Sequence, residues 1–116
     1  MFSDGNSFMS TVYYSETDNR DHFVSQIWDV FAASLQKATK VFVKPNIVSY
    51  EPYPTTTHPE VLEAVLKRLG GCEFVVGDAP AIDAGKSSKI LQKSPLNEVC
   101  GRYGIKLLNL YSEEMK

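Results

Sequence analysis

Three short apolar runs, Val41-Phe42-Val43, Phe74-Val75-Val76 and Ile105 to Leu110, alternate with longer segments whose apolar residues recur every three or four positions. No other feature narrows the fold as much. A continuous apolar run suits a strand covered on both faces, and a helix between two such strands is the crossover that parallel pairing requires. Between the first two runs, Val61, Leu62, Val65, Leu66 and Leu69 form one stripe, and Gly70-Gly71 ends it. Between the second two, a helix from near Gly85 carries Ile90 and Leu91. Ser94-Pro95 restarts it as an N-cap and first-position proline, with Leu96, Val99, Cys100 and Tyr103 facing inward.

Two elements precede these. Thr11 to Ser15 is β-branched and aromatic, which suits a strand. From Asp21 onward, Val24, Ile27, Trp28, Phe31, Leu35 and Ala38 trace an amphipathic helix, with Glu16 to Asn19 placed to cap it. The order β-α-β-α-β-α-β predicts an α/β fold of three layers, with a mostly parallel four-stranded sheet and right-handed crossover helices. A chain of 116 residues corresponds to about one domain. Residues 9–116 are read as that domain and 1–8 as an extension outside it. Three helices scarcely cover both faces of four strands, and only the polar tail Tyr111 to Lys116 follows the last one. The expectation is therefore the N-terminal portion of a larger protein, or a homo-oligomer.

Composition removes several classes of function. Twelve basic against fourteen acidic residues leave a net charge of -2, with no run of Lys and Arg, which gives no support for nucleic acid as a partner. No apolar stretch approaches the ~20 residues that span a bilayer. The N-terminus, MFSDGNSF, lacks the basic and apolar regions of a secretory signal. A cytoplasmic location is expected, and Cys72 and Cys100 read as reduced, buried thiols.

In open parallel sheets, ligands bind outside the carboxyl ends of the strands. Lys44 and Asn46 leave one strand there, Asp78 leaves the next, and Thr55, Thr56, Thr57 and His58 open the intervening helix on the same rim. A helix N-terminus with unpaired N–H groups favours an anion. Lys44 would add charge and the threonines would add donors, so Lys44, Asn46, Thr56, Thr57, His58 and Asp78 form a candidate site for a phosphate or carboxylate. Structural readings of the same residues stay open. Thr57 and Glu60 have capping-box spacing, Lys44 and Asp78 can form an ion pair, and a His at a helix start is commonly just exposed. Gly85-Lys86-Ser87 echoes the end of a phosphate-binding P-loop, but Pro80 stands where its first glycine belongs and lacks the N–H that the cradle needs. Lys86 and Ser87 are kept as a secondary anion candidate. No spacing of His, Cys or acidic residues suggests a metal site.

Taken together, "VFVKPNIV", "TTTHPEVLEAVLKRLGG" and "EFVVGDAP" resemble the N-terminal region of the family called domain of unknown function 362. The resemblance covers Val41 to Pro80 well and reaches Leu110 more loosely. Longer members commonly carry a ferredoxin-like iron–sulfur segment towards the C-terminus. This chain has two cysteines and no Cys-x-x-Cys run, so the resemblance implies no cluster here. Two function classes follow: a domain binding a phosphate- or carboxylate-bearing small molecule or cofactor at its strand ends, or a non-catalytic module supporting an iron–sulfur redox partner or a C-terminal segment. Neither the residues nor the resemblance decides whether the chain is an enzyme.

Overall fold

The computed structural model describes residues 10–47, 53–79 and 87–110. The first helix, α1 (Arg20–Gln36), starts where the polar break ends, with the Asn19 side chain accepting from His22 N at 3.1 Å. That bond satisfies one of the amide donors a helix start leaves unpaired. Next come β1 (Lys40–Val43), α2 (Pro59–Leu66) and β2 (Glu73–Asp78), then α3 (Ser87–Lys93), α4 (Pro95–Arg102) and β3 (Leu107–Asn109). Ser94 caps α4 by accepting from Leu96 N, with Pro95 in the first turn, as its sequence predicts. Gly71 and Gly104, with φ of +99° and +69°, reverse the chain after α2 and α4, in a conformation that costs glycine nothing sterically.

Among the described residues, three strands form one sheet, all parallel, in the order β1-β2-β3. Lys40 to Val43 pair with Glu73 to Val76, and Val76 to Asp78 with Leu107 to Asn109. Gly77 permits the second pairing, because a Cβ there would lie 3.0 Å from the Leu108 carbonyl oxygen. Side chains alternate across the sheet. Val41, Val43, Phe74, Val76 and Leu107 belong to the core or pack against it, together with Leu62, Leu66, Leu96, Val99 and Cys100 from the helices. Phe42 and Val75, register partners on the opposite face, are 46% and 42% exposed. The core therefore sits on one side of the sheet, between it and the helices.

Among the described residues the expected fourth strand and third layer do not appear. Thr11 to Ser15 forms no strand; Val12 and Tyr14 are 78% and 87% exposed, and Tyr13 meets the Phe31 ring edge-on. Strand propensity describes how well a side chain suits a half-buried pleated surface, and it acts only where a partner edge supplies one. Among the described residues, an α/β arrangement remains, with a small parallel sheet and helices against one of its faces. The expected extension, residues 1–8, lies outside the described residues.

Candidate functional site

The chain leaving β1 and the chain entering α2 are stapled to each other. Asn46 N donates to Thr57 Oγ1 at 2.8 Å, Thr57 N donates to Asn46 O at 3.0 Å, and Asn46 Nδ2 reaches Thr55 O at 3.4 Å. With its oxygen already accepting from Asn46, Thr57 does not cap the helix. His58 does, accepting from Glu60 N through Nδ1 at 3.1 Å. Pro59 explains the choice: a residue before proline is pushed into extended backbone, so His58, at φ -63° and ψ 132°, is the last residue outside the helix.

The same bonds correct the expectation of free amides at this helix start. Pro59 has no N–H, Glu60 N goes to His58 Nδ1, and Val61 N and Leu62 N both go to His58 O. Donors must instead come from side chains. Accepting through Nδ1 puts the proton of a neutral imidazole on Nε2, so His58 offers an N–H, and the Thr57 hydroxyl keeps its own hydrogen to donate.

Lys44 and Asp78 form a separate unit. Lys44 Nζ lies 2.6 Å from Asp78 Oδ1, with the Lys44 side chain 55% exposed and the Asp78 side chain 3% exposed. Asp78 Oδ2 accepts from Ile47 N at 2.8 Å, while Oδ1 faces the Lys44 ammonium. One buried carboxylate thus fixes the exit of β1 against the end of β2.

Between α1, α2 and the turn at Tyr53 to His58 lies a groove of about 740 Å³. Trp28, Phe31, Val61 and Val65 contribute to its apolar lining, and Asn46, Thr56, Thr57 and His58 are among its polar residues. Four of the six rim residues named from the sequence are therefore together in one concavity, and Lys44 and Asp78 are not among its lining. Of the secondary pair, Lys86 lies outside the described residues, and Ser87 opens α3.

Sequence reasoning missed Arg20 and Tyr53, which also line the groove. The Arg20 guanidinium stands 5.3 Å from the Tyr53 ring centroid, and that ring meets His58 edge-on at 5.0 Å. One signal was available for Arg20: it is the first residue of α1, where the helix dipole disfavours a cation.

The cysteines do not fit an iron–sulfur cluster, whose irons are held typically by four thiolates. Cys100 is fully buried, and burial pushes its thiol up to about 11. Cys72 Sγ donates to Leu69 O at 3.3 Å. Among the described residues, no three His, Cys, Asp or Glu side chains cluster as metal ligands, and no helix is long and apolar enough to cross a membrane.

Residues 41–116 match the family model described as "Domain of unknown function (DUF362)". The chain belongs to that family. The match begins at β1, so in this DUF362 chain α1, with the groove wall it supplies, precedes the matched region. No curated protein and no solved structure matches the chain.

Proposed function

We propose that this DUF362 domain binds a small molecule bearing a carboxylate or phosphate at the junction of β1 and α2, with the anionic group against Asn46, Thr57 and His58. The observation that carries this reading is the opening of those side chains into a groove of about 740 Å³, a size within the usual range for small-molecule sites. Lys44 and Asp78 act beside the site, holding the loop that presents Asn46. Because the first-turn amides of α2 are already bonded, simple anions should bind weakly. Backbone NMR shifts on titration with acetate and with inorganic phosphate test the reading. Saturable shifts at Asn46 and at residues 55–60, weakened in His58→Ala, are expected. Flat titrations with both anions, and with a larger carboxylate that adds apolar contact, would remove it.

A second reading, a non-catalytic module docking on a redox partner, draws on the half-exposed Phe42 and Val75 of the open sheet face. Under it, these titrations would be silent at the junction, and substitutions on the sheet face would alter assembly instead.

A further inference from the structure

The groove is charged on one side of the balance only. Among the described residues, its lining includes Arg20 and no carboxylate. Arg20 does contact Glu60, but at 3.5 Å, with the Glu60 side chain 61% exposed and outside the groove lining. An ion pair so long and so wet costs little to exchange for another anion. A guanidinium pairs well with a planar carboxylate through two parallel N–H bonds.

Two further observations limit the anion and describe what it is attached to. The amides that could wrap a phosphate are spent within the fold, at Glu60, Val61 and Leu62 by His58 and at Ile47 by Asp78. One cation and a few side-chain donors, among the described residues, suit a single negative charge better than a dianion. The rest of the lining is aliphatic and aromatic, with Trp28 and Phe31 on α1 and Val61 and Val65 on α2. A ligand there gains most of its affinity from an apolar body removed from water.

We infer that the groove takes a monocarboxylate with a flat or branched apolar body, its carboxylate between Arg20 and His58 and its body along Trp28. This rests on the reading of the junction as an anion site and names the ligand class for it. Arg20 is the specificity-determining residue, since it is the one charged group among the described residues of the lining. Tyr53, stacked against Arg20 and touching the His58 ring, positions both.

The chain contains one tryptophan, which lines this groove and also a cleft beside Leu69 and Cys72, so its fluorescence is read together with the NMR shifts at residues 55–60. The probes are 2-naphthoate, the neutral 2-naphthylmethanol, acetate and inorganic phosphate, titrated into the full chain while following Trp28 emission and backbone NMR shifts. Naphthoate should bind at least about tenfold more tightly than acetate, perturb Trp28, and lose about tenfold in Arg20→Gln. The alcohol should bind more weakly than naphthoate, with no dependence on Arg20. Glutamine retains good helix propensity, and an unchanged denaturation midpoint shows that α1 remains in place. Equal binding of the acid and the alcohol would overturn the inference, reducing the groove to a nonspecific apolar surface. Binding of acetate and phosphate at residues 55–60 without any naphthoate effect on Trp28 would overturn it too, while leaving the junction as an anion site. Silence from all four probes removes both.

Discussion

Asp78 makes two ties with one carboxylate, and the two are worth different amounts. Its bond to Ile47 N is between buried groups, so deleting the acceptor strands a donor away from water. Hydrogen bonds to charged groups are worth about 1.5–3 kcal/mol, and Asp78→Ala should lower stability by about that much. Asp78→Asn should cost less, because an amide oxygen can still accept from Ile47. Lys44 is half exposed, and such pairs contribute about 0–1 kcal/mol. Lys44→Met should therefore cost no more than about 1 kcal/mol, and adding it to Asp78→Asn should cost little more. Urea midpoints for the two singles and the double decide it. A Lys44→Met protein as stable as the parent would show that the lysine is not a structural partner. The two thiols offer a second test at this scale. Cys100 is buried and its pKa is raised from 9.0 to about 11, whereas Cys72 is half-buried. A disulfide reagent at neutral pH should modify Cys72 readily and Cys100 only after denaturant is added. Because the fold keeps Cys100 neutral while the unfolded chain can ionise it, rising pH favours the unfolded state. Its contribution is complete below pH 9 and drains away between pH 9 and about 11, so Cys100→Ala should flatten the alkaline limb of a stability profile.

Helix α1 has no buried residue, so its place beside α2 depends on half-buried contacts and on charge. Asp21 takes Arg68 at 2.8 Å and Lys67 at 2.7 Å. Hydrogen bonds from Arg68, then from Lys67, hold its carboxyl down from 3.8 to about 2. A lowered carboxylate pKa stabilises the folded state above the unfolded value, and the benefit disappears as pH falls through the folded one. Asp21→Asn should thus melt below the parent at pH 7, and the gap should close between about pH 4 and pH 2. Circular dichroism melts across that range test it, and a gap that persists at pH 2 would place the effect outside this ion pair. Elements whose stripes run inward were legible in the sequence. The stripe of α2, the restart at Ser94-Pro95 and the final strand all follow from periodicity and proline. The cap of α2 was misread as Thr57, although the rule that makes Ser94 a cap before Pro95 also favours His58 before Pro59. Thr57 looked the better cap by residue type, and nothing local in the sequence indicates that its oxygen is claimed by Asn46, eleven residues earlier. Arg20 and Tyr53 meet across the gap between α1 and α2, a juxtaposition that only tertiary packing creates.

At the scale of the whole molecule, the sheet departs from the habit of its class. Parallel sheets are ordinarily covered on both faces. Here Val41, Val43, Phe74 and Val76 turn towards the helices, while Phe42 and Val75 turn away and stay half exposed. Thr11 to Ser15, the segment expected to widen the sheet, lies exposed instead. The composition of β1 and β2, apolar on both faces, misled the layer count because a run such as Val41-Phe42-Val43 reads identically whether one face or two are covered. Matched truncations on the two faces separate these cases. Leu66→Ala empties a site that is 2% exposed and should cost about 2–5 kcal/mol. Phe42→Ala removes a larger side chain, and buried phenylalanine truncations cost about 3–5 kcal/mol. With the face open to water, its cost should fall below about 1 kcal/mol, and it should not change with protein concentration, since only a covered side chain loses packing when it is cut back. Denaturation of both variants at low and high protein concentration, with sedimentation alongside, reads the result. A Phe42→Ala cost as large as that of Leu66→Ala, growing with concentration, would show a second copy seated on the sheet. The same cost at every concentration would show that the chain itself covers this face, and the one-sided core would then be wrong.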